Sequence, residues 1–270
     1  MAYLEVEGTR RIYFEHHPAA GPPIVLVHGW GASGRCWDTV APVLRANGNA
    51  VVLLDQRACG RSDKDFDDVS IAAGGADVAR LCAHLGLREP IVNGWSLGGA
   101  IAVDAVARLG SAAGGLVLTG GATPRYTATE GWPHGGTVAD VETVLQAAGA
   151  DRANALRQVA EAVCAAPVGR HVVDWLWRMF LEMGPRGDEA LRDLAHVDQR
   201  QLLGTVRTPT LVLHGAHDGF VPFSGAEAGS RLCHDAQLVA FSESGHAPFL
   251  EERERYLDAL LGFVNREDRR

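Results

Sequence analysis

The chain has 270 residues, 47% hydrophobic and 21% charged, which is enough material for one large buried core. Its formal net charge of −8 argues against a nucleic-acid binder or a protein held on an anionic membrane. No apolar run reaches the length of a membrane span. The opening Met1-Ala2-Tyr3-Leu4-Glu5-Val6-Glu7 lacks the basic start and apolar stretch of a secretory signal, so a cytoplasmic protein is expected.

Taken in chain order, residues 3–6 and 11–15 alternate well enough for an edge hairpin turning near Glu7-Gly8. His16 and His17 are expected in the polar loop that follows, as solvated side chains. Ile24-Val25-Leu26-Val27 is a continuous apolar run, the mark of a strand covered on both faces, and it ends in His28-Gly29-Trp30-Gly31. A helical pattern over 36–46 leads to a second such strand, Ala50–Leu54, ending in Asp55. A turn-rich loop, Asp55-Gln56-Arg57-Ala58-Cys59-Gly60-Arg61-Ser62, follows, with Asp55 read as stabilising it beside Arg57 and Ser62. Ser70 is a candidate N-cap for a helix whose apolar face runs Ile71, Val78, Leu81, Cys82 and Leu85, although Gly74 and Gly75 weaken it by about 1 kcal/mol each.

The next stretch organises the rest. Pro90-Ile91-Val92-Asn93-Gly94-Trp95-Ser96-Leu97-Gly98-Gly99 is a short apolar run ending in Gly-x-Ser-x-Gly, followed at once by an apolar helical segment to about Leu109. This is the pattern of a strand turning sharply into a helix, with the Ser96 hydroxyl lifted clear of the sheet at the positive end of that helix. A further strand is predicted at Leu116–Thr119. Strict alternation of strand and helix predicts a parallel sheet with helices on both faces.

Between 121 and 208 the rhythm changes to helices alone, near 138–148, 151–165, 171–183 and 187–196. The third carries Trp175, Leu176, Trp177, Met179, Phe180, Leu181 and Met183, expected to pack the helices on the core and in part to line an apolar pocket. Alternation returns with a strand at Thr210–Leu213 and a helix capped by Ser224 and Glu227. A last strand over Gln237–Phe241 precedes a closing helix with Tyr256, Leu257, Leu260, Leu261 and Val264 inward. The expected organisation is a core of 1–120 and 209–270, with 121–208 inserted as a helical cap.

A serine hydroxyl needs a base within reach, and the base needs an acid that fixes its tautomer. In chain order the sequence supplies Ser96, Asp218 and His246, each in a loop after a core strand. Serine, acid, histidine is the order of an α/β-hydrolase. Two N–H groups should hold the developing oxyanion, that of Leu97 and that of Trp30. Trp30, Trp95, Phe220 and Phe249 are the expected pocket walls. His28 is read as a brace for its loop, His214 as structural, and His217 and His134 as loop residues. The five scattered cysteines (Cys36, Cys59, Cys82, Cys164, Cys233) are expected reduced, and the chemistry calls for no cofactor or metal.

On His28-Gly29-Trp30-Gly31, Gly94-Trp95-Ser96-Leu97-Gly98-Gly99, Asp218-Gly219-Phe220-Val221-Pro222 and His246-Ala247-Pro248-Phe249, the chain resembles an α/β-hydrolase over essentially its full length. Within that superfamily it is similar to the pimeloyl-[acyl-carrier protein] methyl ester carboxylesterases. The loop Arg125-Tyr126-Thr127-Ala128-Thr129-Glu130-Gly131-Trp132-Pro133 shares in the likeness. The resemblance implies a mostly parallel eight-stranded sheet with an inserted cap and a serine carboxylesterase acting on a small or medium acyl ester; a monomer or homodimer is expected. The same residues would also serve a lactonase, thioesterase, perhydrolase or C–C bond hydrolase, or a slow-turnover ligand sensor. Ser96 stands where similar dehalogenases and epoxide hydrolases carry aspartate. Two departures bear on a carrier-bound substrate. Ala58 replaces a glycine usual in these enzymes, and residues 151–200 hold seven arginines, Arg152, Arg157 and Arg170 among them, against eight carboxylates. An acidic carrier would dock on a basic cap.

Overall fold

The computed structural model describes residues 2–266. Eight strands, β1 (Ala2–Glu7), β2 (Arg10–His17), β3 (Gly21–Val27), β4 (Asn49–Leu54), β5 (Ile91–Trp95), β6 (Gly115–Thr119), β7 (Thr210–Gly215) and β8 (Ala236–Phe241), form one sheet. Their order is β1-β2-β4-β3-β5-β6-β7-β8. β1 and β2 pair antiparallel, as do β2 and β4; every other pair is parallel. His16 and His17 are not in a loop. They extend β2 opposite Val52 and Val51, because the antiparallel ladder to β4 runs two residues beyond the alternating pattern.

The continuous apolar strands are buried on both faces, and side-chain alternation divides them between two cores. Val25 and Val27 of β3 and Val52 and Leu54 of β4 face one layer; Ile24, Leu26, Val51 and Leu53 face the other. The first layer is closed by α2 (Ile71–His84) and α3 (Leu97–Leu109), the second by α1 (Ala41–Ala46) and later by α11 (Arg253–Val264). The pattern at 36–46 is two pieces, a 3₁₀ turn at Gly34–Trp37 and α1, since Pro42 starts the helix at its first turn. Ser70 caps α2, accepting from the Ala73 N–H at 3.2 Å. Gly74 and Gly75 stay helical because α3 crosses them closely: a Cβ on Gly74 would lie 2.7 Å from Ile101 Cδ1.

Five helices lie between β6 and β7: α4 (Val138–Ala150), α5 (Arg152–Ala162), α6 (Arg170–Leu181), α7 (Gly187–His196) and the unforeseen α8 (Arg200–Thr205). α9 (Phe223–Ser230) follows β7, and α10 (Pro248–Glu251) precedes α11. The expected capping box at Ser224 and Glu227 is absent. Pro222 occupies the N-cap, and Ser224 Oγ lies 3.0 Å from His134 Nδ1. On α11, Phe263 is buried where Leu261 was expected inward; Leu261 is half-exposed. No described helix is long and apolar enough to cross a membrane.

Candidate active site

Ser96 joins β5 to α3 with φ +56° and ψ −124°, a conformation an L-residue holds only at a cost of about 1–3 kcal/mol. The surrounding backbone enforces it. A Cβ on Gly94 would lie 2.0 Å from the Gly98 carbonyl oxygen, and one on Gly98 would lie 2.3 Å from that of His28. Below the bend, a buried polar triangle pins the strand. Asn93 Nδ2 donates to Tyr256 Oη at 3.0 Å, and Thr119 Oγ1 donates to Asn93 Oδ1 at 2.9 Å.

Asp218 follows β7, and its carboxylate is saturated with donors. Oδ1 accepts the Phe220 and Val221 N–H groups, both at 2.9 Å. Oδ2 lies 2.8 Å from His246 Nδ1 and 3.2 Å from His214 Nε2. Because a carboxylate only accepts, His246 carries its proton on Nδ1, leaving Nε2 as the acceptor. Burial pushes the Asp218 carboxyl up, but the charge and hydrogen bonds of His246 and His214 outweigh it and hold the group well below the usual carboxylate range. His214 is fully buried; its Nε2–H also meets the Val221 carbonyl at 2.8 Å, and its Nδ1 has no partner among the described residues. His217 is exposed in the turn.

The His246 loop is fastened from several sides. Its N–H donates to Val163 O at 2.9 Å, and its carbonyl accepts Trp95 Nε1–H at 2.9 Å. The rings of Trp95 and Phe220 lie 5.7 and 5.1 Å from the imidazole. Glu251, which sequence reasoning passed over, gathers four N–H groups. Those of Gly245 and Ala247 flank His246, and those of Ala165 and Ala166 belong to the segment after α5. A carboxylate one helical turn beyond a loop histidine was the available signal.

His28 braces the loop before the serine. Its Nε2 accepts the Gln56 N–H at 2.9 Å, so its Nδ1–H donates to the Gly29 carbonyl at 2.7 Å. Burial pushes His28 down, which keeps the neutral form that this bridge needs. In a trans peptide the N–H opposes the C=O, so fixing the Gly29 carbonyl turns the Trp30 N–H the other way. Asp55 tightens the neighbouring turn through the Gly34 and Arg61 N–H groups, each at 2.7 Å. Arg57 is not beside it. Its guanidinium turns to Asp77 at 2.6 Å and Glu7 at 2.7 Å.

Ser96, His246, Trp30, Leu97, Trp95 and Phe220 all line one cavity of about 330 Å³. Its remaining wall is largely apolar: Val141 and Val144 of α4, Val159 of α5, Val163, Phe180 of α6, and Leu191 and Leu194 of α7. Phe249, expected in that wall, is fully buried behind it, 5.3 Å from the Trp95 ring and 4.9 Å from Trp37. Of the aromatic and sulfur side chains of α6 and its end, only Phe180 reaches the cavity; Trp177 turns outward to the Ala153 carbonyl. His134 does not line it and packs on Trp132.

The model of the alpha/beta hydrolase fold family matches residues 22–253. The chain belongs to the α/β-hydrolase family. This hydrolase is 34% identical to a pimeloyl-[acyl-carrier protein] methyl ester esterase of Chromobacterium violaceum, over 89% of its own length and 93% of the relative's. Among solved structures it is similar to an esterase from Exiguobacterium antarcticum, with TM-score 0.94, 27% identity and coverage of 98% and 99%. It is also similar to a bromoperoxidase from Bacillus anthracis, with TM-score 0.93, 25% identity and the same coverage. The hydrolase's eight-stranded, mostly parallel sheet with inserted helices is the expected fold.

Proposed function

We propose that this chain is a serine carboxylesterase for small or medium acyl esters, with residues 1–120 and 209–270 as its core and 121–208 as its cap. The observation that carries the reading is the 2.8 Å Asp218–His246 contact, in a cavity that also holds Ser96 at its strained bend. His246 Nε2 takes the Ser96 proton as Oγ attacks the ester carbonyl. The Trp30 and Leu97 N–H groups receive the oxyanion, each worth roughly 10²–10³ in rate. No hydrogen bond outside the helices and strands of the described residues engages either group. His246 then protonates the leaving alcohol and activates the water that releases the acid.

Charge on the cap supports a free ester rather than a carrier-bound one. Arg152 pairs with Asp188, Arg157 with Glu161 and Asp174, and Arg170 with Asp174, so these arginines are already engaged. The likeness to a bromoperoxidase favours a second reading of the same site, in which hydrogen peroxide replaces water as acceptor of the acyl group.

The test is hydrolysis of p-nitrophenyl esters of graded acyl length by wild type and Ser96→Ala. The variant should lose roughly 10⁶-fold in kcat while keeping the wild-type melting curve. Wild-type turnover by Ser96→Ala would refute the assignment.

A further inference from the structure

Most hydroxyl and indole donors of the cavity wall are already committed. Thr127 Oγ1 donates to the Ala195 carbonyl at 2.7 Å, and Thr137 Oγ1 to Asp140 Oδ2 at 2.8 Å. The indole N–H groups of Trp30 and Trp95 are spent on the carbonyls of Gly187 and His246. Apart from Ser96, one hydroxyl on this wall is left without a hydrogen-bond partner among the described residues, that of Tyr126.

Burial pushes the Tyr126 phenol up to about 12, and the negative charges of Asp218 and of Asp140 in the first turn of α4 add to the rise. The phenol is therefore a neutral donor at any working pH, and the nearby carboxylates reinforce that state. A phenol that meets no described protein group has its donor satisfied only by what occupies the chamber. A ligand supplying only hydrocarbon there would strip water from the hydroxyl and return nothing.

We propose that Tyr126 is a specificity-determining residue that donates to a second acceptor atom of the substrate, so that the preferred esters carry an ether, carbonyl or hydroxyl oxygen besides the ester group. The inference rests on the hydrolase reading of the same site and adds the class of substrate. The second oxygen lies in either the acyl or the alcohol half.

Isosteric esters differing by one CH₂-to-oxygen exchange test it. In the acyl half the pairs are methyl butanoate with methyl methoxyacetate, and methyl pentanoate with methyl 3-methoxypropanoate. In the alcohol half the pair is butyl acetate with 2-methoxyethyl acetate. Each is measured with wild type and Tyr126→Phe by titration of released acid. At least one oxygen-bearing ester should lose roughly 3- to 10-fold in kcat/KM in the variant, mainly through KM, while its hydrocarbon partner stays within twofold. The half that responds locates the acceptor. Equal loss on both members of every pair, or no loss on any, overturns the inference. The wild-type preference within each pair, corrected for alkaline hydrolysis rates, is a second reading that needs no variant. A wild type that turns over none of the esters refutes the hydrolase assignment together with this inference. Turnover without Tyr126-dependent discrimination refutes this inference alone.

Discussion

His214→Leu removes the second imidazole from Asp218 while keeping an apolar side chain of similar bulk. Two interactions go. One is the 3.2 Å contact from Nε2 to a carboxylate whose side chain is fully buried, and hydrogen bonds to charged groups contribute about 1.5–3 kcal/mol. The other is the 2.8 Å bond to the Val221 carbonyl, whose loss strands a buried acceptor at about 1–3 kcal/mol. Loss of the unpartnered Nδ1 offsets part of this, so the expected net destabilisation is about 2–4 kcal/mol. Urea unfolding followed by tryptophan fluorescence measures it. The pH dependence follows with a definite sign. The folded Asp218 value lies below the unfolded one of about 3.9, so its contribution is complete above that pH and drains away as pH falls below it. With one donor removed the depression shrinks, and acid unfolding should begin at higher pH. A carboxylate free to shift also loosens His246, and a displacement of about 1 Å costs up to roughly 100-fold in kcat/KM. His214→Gln, which offers an N–H near the Nε2 position, should recover much of both losses. A leucine variant within about 0.5 kcal/mol and twofold of wild type would refute the reasoning.

Close backbone contacts predict opposite signs for two alanine substitutions. A Cβ on Gly99 would lie 2.7 Å from Gly121 Cα, which is main chain and does not yield, so Gly99→Ala should lose about 1–3 kcal/mol in urea unfolding. A Cβ on Gly262 of α11 would meet nothing within 4 Å among the described residues, and Gly262→Ala should gain about 0.5–1 kcal/mol. Among the described residues no lysine or arginine lines the cavity, while Asp140 does. Monomethyl glutarate should therefore be hydrolysed more slowly than methyl pentanoate. Asp140→Asn or added salt should narrow the gap severalfold, as measured by kcat/KM at two ionic strengths.

Sheet and elbow were legible because their signals are local. Ile24–Val27, Ala50–Leu54 and Ile91–Val92 are apolar without interruption only because both faces are covered, and Gly94 and Gly98 mark where main chains touch. Candidate acid and base were legible from their places after strands. What failed depended on neighbours distant in sequence. The Ser224 cap was displaced because Pro222 sets the start of α9 and Trp132 brings His134 alongside. Phe249 carries the right chemistry for a pocket wall, yet the Trp95 ring stands in front of it. Tyr126 sits in an irregular loop, where no periodicity tells which way a side chain turns. Glu251 could be seen as acidic, but its four N–H partners come together only once α5 and the His246 loop have docked.

The order of the site along the chain sets when it comes into being. Ser96 and the Trp30 loop belong to strands made early, whereas Asp218 and His246 follow the two strands that complete the far edge of the sheet. A growing chain therefore carries the serine through synthesis of the entire helical insertion with no base to activate it. Val163 and the Glu251 partners Ala165 and Ala166 must already be in place to receive the His246 loop when it arrives. Under the proposed chemistry, hydrolytic competence is withheld from every form that ends before His246. Its appearance during synthesis would time the docking of the last loop.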